Sequence, residues 1–182
     1  MKYNKTITLK DGRECILRNG TENDGEAALE VFVITHKETD NLRTYPDEIK
    51  YTAEDQRKYL RHKTDSDREI EIIAEVDGRI VGLAGLDPVG SSEKLLHRVD
   101  FGISIIKEYW GQGIGRALTD ACIECARQAG YTQIELTVVS GNERAVRMYK
   151  HAGFEEIGRD PRGFRSRYTG YQELIYMRME LD

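Results

Sequence analysis

The 182-residue sequence predicts a mixed α/β domain: a mostly antiparallel sheet with one parallel strand–helix–strand crossover. Three observations predict it. Residues 69 to 76 (EIEIIAEV) alternate and are rich in Ile, Asp77-Gly78 follows, and RIVGLAGL resumes, which is the pattern of a hairpin. Residues 97 to 106 (HRVDFGISII) and 133 to 139 (QIELTVV) read as strands with a helical run between them, and such a connection within one sheet is right-handed and parallel. Two β-like runs, FEEIGR and YQELIYMRMEL, close the chain.

Taken in order, residues 6 to 18 read as a hairpin turning on Asp11-Gly12. In TENDGEAALEVFVITHKET, Thr21 or Asn23 caps a helix whose apolar residues are Ala27, Ala28, Val31, Phe32 and Ile34. Tyr45-Pro46 breaks the chain. Thr52 with Asp55 starts a second, more polar helix through about Lys63, and TDSDR is a loop. After the central hairpin and the strand 97 to 106, three glycines precede a helix to about Ala129, and Gly130 suits the position just past its end. Residues 142 to 152 form a short helix ended by Gly153. RDPRGFRSRY, with Arg159, Arg162, Arg165 and Arg167, reads as a solvated loop between the closing strands.

Length predicts a single domain over 1–182, large enough to bury a core without disulfides or metals. With 27 basic and 32 acidic residues the net charge is −5, so no global electrostatic case for nucleic-acid binding exists. The start lacks an apolar core of signal-peptide length, and no apolar run has membrane-spanning length. Cys15, Cys122 and Cys125 leave an odd thiol, which fits a reducing, cytoplasmic setting. Cys122 and Cys125 form C-x-x-C, but without a second pair or a nearby His they complete no metal site. They lie on the helical stripe Ile114, Ala117, Leu118, Ala121, Cys122, Cys125, Ala129, which assigns them to the core.

Residues 109 to 118 read YWGQGIGRAL. Glycines are costly at a helix mouth, so their placement needs a reason. The first turn of a helix has N–H groups without internal partners and carries partial positive charge, so it binds anions, phosphates above all. Gly111, Gly113 and Gly115, with Arg116 adding a cation, suggest a phosphate cradle. No Lys-Ser or Lys-Thr follows, so this is not a P-loop. A dinucleotide fingerprint needs glycine at 116 or 118, where Arg and Leu stand, which argues against a nicotinamide oxidoreductase. A second motif, NERAVRMYKHAGF from 142 to 154, opens on a natural N-cap, Asn142. It puts Tyr149 on one face with Ala145 and Val146.

The two motifs together resemble the GNAT superfamily of N-acetyltransferases. The resemblance is strongest from Val99 to Phe154: VDFGISIIKEYWGQGIGRAL, a strand, then N-x-x-A-x-x-x-Y-x-x-x-G-F. ECILRNGTENDGEAAL resembles the family's first strand and helix. The details look most like the branch that acetylates ribosomal-protein N-termini, amino acids or small amines. The resemblance implies acetyl-CoA as co-substrate, with no metal, and two central strands, 98–106 and 133–139, splayed around its pantetheine arm. It implies pairing of that arm with Ile103, Ser104 and Ile105. The pyrophosphate would lie on the N–H groups of Gly111, Gln112, Gly113, Ile114, Gly115 and Arg116, with Asn142 near the splay. Tyr149 would act as general acid toward the leaving thiolate, and an N–H near Ile105 would stabilise the oxyanion. Arg144, Arg147 and Lys150, on the Tyr149 helix, are equal or better candidates for the CoA 3′-phosphate than the Arg159–Arg167 cluster.

The implied reaction is acetyl transfer to the primary amine of a small molecule or peptide N-terminus, by direct attack in a ternary complex. A rival of another class is a CoA-binding sensor or scaffold without turnover. A homodimer is compatible with the family. Two positions depart from its pattern. Trp110 stands where many members have Arg or Gln, and Thr137 stands where some N-terminal acetyltransferases have a catalytic Glu. The general base is therefore open among Glu135, Asp100, Glu38, His36, His97 and a chain of waters. HKETDNLRTYPDEI lies where the acceptor enters in such proteins, and its acids would suit a cationic amine.

Overall fold

The computed structural model describes residues 1–181. Eight strands form one sheet in the order β1-β2-β3-β4-β5-β6-β8-β7. They are β1 (Asn4–Thr8), β2 (Glu14–Asn19), β3 (Ile70–Val76), β4 (Arg79–Pro88), β5 (Arg98–Ile105), β6 (Gln133–Val139), β7 (Glu155–Ser166) and β8 (Gly170–Glu180). Four helices accompany them: α1 (Gly25–Glu38), α2 (Ala53–Asp65), α3 (Ile114–Gln128) and α4 (Glu143–Ala152). All strand pairs are antiparallel except β5 with β6, joined through α3. This is the mixed architecture expected from the sequence. Among the described residues no helix is long and apolar enough to cross a membrane.

Local chemistry sets most boundaries. Asp77 and Gly78 both have positive φ, 51° and 76°, as a tight I′-type hairpin turn requires. Thr52 and Asp55 exchange hydrogen bonds in a capping box at the start of α2. Gly130 and Gly153, at φ 78° and 107°, end α3 and α4. The first hairpin departs from expectation. Leu9 buries its side chain, its N–H donates to Arg13, and its carbonyl accepts from Gly12. Asp11-Gly12 therefore sits in a loop of residues 9–13, not in a two-residue turn. The closing hairpin departs too, because the Arg-rich stretch is strand. β7 continues through it with a register shift between Asp160 and Phe164. Pro161, which has no N–H to donate, lies inside that shift.

The sheet is covered on both faces. A Cβ added at Gly82 would meet Leu118 of α3, whereas one at Gly85 would collide with Glu71, which is bonded to Tyr59 of α2. Three residues apart on one strand, these glycines face opposite sides. Cys122 and Cys125 pack as free thiols in the core, as their stripe predicts.

The helix read as merely polar carries a buried ionic cluster. Lys63 is 1% exposed; it donates to the carbonyl of Leu86 at 2.7 Å and pairs with Glu69 at 3.1 Å and with Asp87. Nearby, Tyr59 donates to Glu71 at 3.1 Å. Burial pushes the Glu71 carboxyl up to about 7, with Lys63 opposing the rise. The folded state then holds a proton that the unfolded chain has already released between its ordinary value of 4.5 and about 7, so this group lowers stability as pH rises through that window. Glu71→Gln should therefore gain stability relative to the parent in urea melts near pH 8 and lose that advantage near pH 5. An advantage equal at both pH values would mean that Glu71 titrates normally in the fold.

Candidate active site

β5 and β6 pair only at Arg98, Asp100 and the residue between, opposite Gln133 to Glu135. Beyond that they part. β5 remains paired with β4 to Ile105, and β6 with β8 to Val139. The fork opens a cavity of about 640 Å³ lined by both strands, by Gly111, Gly113 and Gly115, and by α4. A smaller hollow of about 270 Å³ beside α1 lies away from the glycines, and its Arg18 is tied to Asp24 and Glu75.

At one end of the large cavity lies the glycine loop. Gly111 and Gly113 have φ of 84° and 102°, a region costly for other residues. A Cβ at Gly113 would enter open space, so conformation and not crowding selects glycine there. Gly115 differs: a Cβ would lie 3.0 Å from Met148 Sδ, so this glycine lets α3 approach α4. Among the described residues, the N–H groups of Gly111 through Arg116 donate to no protein acceptor. The side chains of Gln112 and Ile114 do not line the cavity, and Ile114 is buried in the core. Arg116 lines the cavity but is paired with Asp120 at 2.8 Å. Arg147 is paired with Glu143. Among the described residues Arg144 is not in an ion pair; it lies over the Trp110 ring at 5.5 Å and, like Lys10, lines the cavity. Trp110, the departure from the family pattern, donates its indole N–H to the carbonyl of Ile105 at 2.7 Å, pinning the end of β5.

At the fork, Ile103, Ser104, Ile105, Asn142 and Tyr149 all face the cavity. The Asn142 side chain is the expected N-cap, accepting from Ala145. Tyr149 is 7% exposed and stands edge-to-face with Phe101 and Phe154 at 6.2 and 5.9 Å. Its hydroxyl makes no hydrogen bond to the protein among the described residues, and burial raises its pKa. The phenol therefore stays protonated across the neutral range.

The base candidates separate by their partners. Glu135 holds Arg98 through both carboxylate oxygens at 2.9 and 2.8 Å. Glu38 accepts the N–H of Lys107 at 2.7 Å. His36 is buried, bonded to Phe32, and lowered in pKa by burial. His97 precedes β5 and does not line the cavity. Asp100 lines it with a carboxyl that, among the described residues, takes no hydrogen bond from a side chain. The residue is exposed by surface area, while the protein packed around its carboxyl still removes part of its hydration. That desolvation, with Glu135 and Asp87 adding like charge against the opposing Arg43, lifts Asp100 to about 6. Asp87 and Glu135 are its register partners on the flanking strands.

At the far end stand Thr39, Asn41, Leu42 and Arg43 of the α1–α2 connection, facing Phe164, Leu174 and Tyr176 of the β7–β8 hairpin. The two segments are joined above the cavity. Ser166 donates to Asp40 at 2.6 Å, and Gln172 donates to it at 3.2 Å. The N–H of Arg167 donates to the Tyr45 hydroxyl at 2.7 Å, and its guanidinium pairs with Asp47 at 2.8 Å. The acids of residues 36–49 expected to attract a cationic amine are thus spent on the scaffold: Glu38 on Lys107, Asp40 and Asp47 on the hairpin, and Glu48 on the N–H of Tyr45. Arg43, which that reading passed over, faces the cavity instead. Of the Arg cluster, Arg159 is paired with Glu156 and Glu173, and Arg162 and Arg165 lie over Tyr171.

The acetyltransferase (GNAT) family model matches residues 36–154. The chain belongs to the GNAT acetyltransferase family. It is 30% identical over 142 residues to an uncharacterized N-acetyltransferase of Methanocaldococcus jannaschii, covering 77% of this chain and 60% of that protein. It is 32% identical over 108 residues to the L-amino acid N-acetyltransferase AaaT of Escherichia coli, covering 59% of this chain and 65% of that one. The chain thus spans less than two thirds of the length of either relative. A GNAT-family acetyltransferase structure from Streptococcus pneumoniae superposes with a TM-score of 0.87 at 26% identity, over 91% of this chain and 99% of that one.

The Asp100 environment is directly measurable. In an NMR titration of side-chain carboxyls, Asp100 should show a midpoint near 6, and Glu135→Gln should move it down by removing a like charge and freeing Arg98. A midpoint in the ordinary aspartate range in the parent protein would show that water reaches this carboxyl freely.

Proposed function

We propose that residues 1–182 act as one acetyl-CoA-dependent N-acetyltransferase domain, which acetylates a primary amine of a small molecule or peptide N-terminus by direct attack in a ternary complex. The observation that carries this reading is the meeting, in one cavity, of two parted strand edges with the donor-rich loop Gly111–Arg116. A long ligand with an anionic end and an amide-bearing arm fits both: the anion on the free N–H groups, the arm between the strands. Arg144 and Lys10, which form no ion pair among the described residues, supply cations for the phosphates. Ile103, Ser104 and Ile105 offer the strand edge, and Gln112 and Ile114 contribute backbone N–H groups only.

Acetyl-CoA supplies an acetyl group activated as a thioester. Asp100 takes the proton from the attacking amine, having the cavity position and the free carboxyl that Glu135, Glu38, His36 and His97 lack. The new N–C bond forms as the C–S bond breaks, and Tyr149 gives its phenolic proton to the departing sulfur. A raised tyrosine pKa suits this step, because a thiolate expelled into the same dry cavity is destabilised along with the phenolate. Positioning of the two reactants supplies much of the remaining rate.

Binding is tested by thermal shift. Acetyl-CoA at roughly 100 times its Kd should add about 2.7 kcal/mol of stability. Gly113→Asp, which places a side chain and a negative charge on a backbone at φ 102°, should abolish that shift; a normal shift in this variant would put the phosphates elsewhere. Chemistry is tested by thiol release. Tyr149→Phe should lower kcat by about a hundredfold with little change in acetyl-CoA affinity. The kcat/KM profile should climb through about pH 6 as Asp100 loses its proton, and Asp100→Asn should erase that limb. Unaltered turnover in Tyr149→Phe, or an unaltered limb in Asp100→Asn, would remove the respective residue from the mechanism.

A further inference from the structure

The charges along the cavity are sorted by position. Lys10, Arg116 and Arg144 belong to the glycine end: the Lys10 N–H donates to the carbonyl of Gln112, Arg116 is in the first turn of α3, and Arg144 lies over Trp110. Asp100 is at the closed base of the fork, where pairing of β5 with β6 ends. Among the described residues that leaves, with the neutral phenol of Tyr176 nearby, one charged lining residue at the acceptor end, Arg43. Among the described residues it forms no ion pair, and no protein acceptor takes a hydrogen bond from it.

Arg43 is also held. The connection that carries it is fastened before it by Asp40, bonded to Ser166 and Gln172, and after it by Tyr45 and Asp47, bonded to Arg167. Both fastenings reach the same hairpin. A cation on a fastened loop, left without a partner at a cavity wall, is available to an anion, and a guanidinium suits a carboxylate through paired, charge-assisted hydrogen bonds. Leu42, Phe164 and Leu174 supply an apolar patch at that end, alongside the polar groups of Thr39, Asn41 and Tyr176.

We propose that the acceptor is a free amino acid, bound with its amine toward Asp100, its carboxylate on Arg43, and its side chain against Leu42, Phe164 and Leu174. This rests on the acetyltransferase reading above and narrows its acceptor. A polyamine or aminoglycoside would bring further positive charge against Arg43, with no spare acid at that end to receive it. A peptide N-terminus would carry its carboxylate at least one residue, roughly 3.5 Å, farther away.

Thiol release from acetyl-CoA decides the matter, measured on the full chain with the common L-amino acids, the C-terminal amides of L-leucine and L-phenylalanine, the dipeptide Leu-Gly and spermidine. Acid should be preferred over its own amide by about ten- to a hundredfold in kcat/KM, mostly through KM, as expected for a charge-assisted contact. In Arg43→Gln that acid-over-amide ratio should collapse to within about twofold. A general loss of fold would lower both substrates together and spare the ratio, and the acetyl-CoA thermal shift checks the fold independently. Equal use of acid and amide, preference for spermidine or Leu-Gly, a ratio that survives Arg43→Gln, or silence of every amino acid in protein that binds acetyl-CoA would each overturn the proposal and leave the cofactor reading standing. Absence of any acetyl-CoA shift, with no thiol release, would instead overturn the transferase reading beneath it.

Discussion

The site depends on a hydrogen-bond ladder that stops partway along two central strands. β5 and β6 are joined at Arg98 to Asp100 and then diverge, although both continue as strands. An unpaired backbone group away from water costs about 1–3 kcal/mol, so the divergence has to be held open. At the closed end Arg98 and Glu135 tie the strands together through two short bonds. On the α4 side, Tyr149 and Phe154 wedge against Phe101 of β5. At the open end the Trp110 indole fastens the last residue of β5. Each strand keeps its outer partner throughout, so the cost is confined to two inner edges. In the proposed function, those edges are where an extended, amide-bearing ligand would add in the manner of a strand.

The glycine loop shows the same economy of parts. Two of its three glycines are set by positive φ, which turns successive N–H groups toward one side. The third answers to Met148 of the neighbouring helix. All three read alike in the sequence, because conformation and crowding leave the same residue behind. They become distinct only when α4 is in place.

What the sequence discloses is what short-range chemistry decides. The Asp77-Gly78 turn, the Thr52–Asp55 box, the glycines after α3 and α4, and the Asn142 cap all involve partners within four residues, and all appear where the pattern puts them. The misreadings have distant causes. Leu9 is drawn into the core and lengthens the first loop. The arginines of β7 continue a strand because Tyr171 lies opposite and Asp40, Tyr45 and Asp47 anchor its far end. Lys63 and Glu71 look like surface charges until α2 is laid on the sheet. The general base was open for the same reason: five candidates differ only in what else they touch, and Asp100 stands apart by having a cavity and no side-chain donor.

Partner counting explains why a chain of net charge −5 can offer its ligands so specific a set of charges. A charge already tied to a neighbour has little left for a ligand, whatever its sign. Glu38, Asp40, Asp47 and Glu48 are all tied, so an acid-rich stretch contributes no free acid to the cavity it borders. Of the expected phosphate cations, Arg116 and Arg147 are tied as well, while Arg144 forms no ion pair among the described residues. The hairpin that holds Asp40 and Asp47 is the same element that fastens the loop carrying Arg43. Among the described residues, those scaffold bonds leave Arg43 as the one charged side chain lining the far end of the cavity. The charge at that end follows from how the loop is fastened, and it is opposite to what the loop's composition suggests.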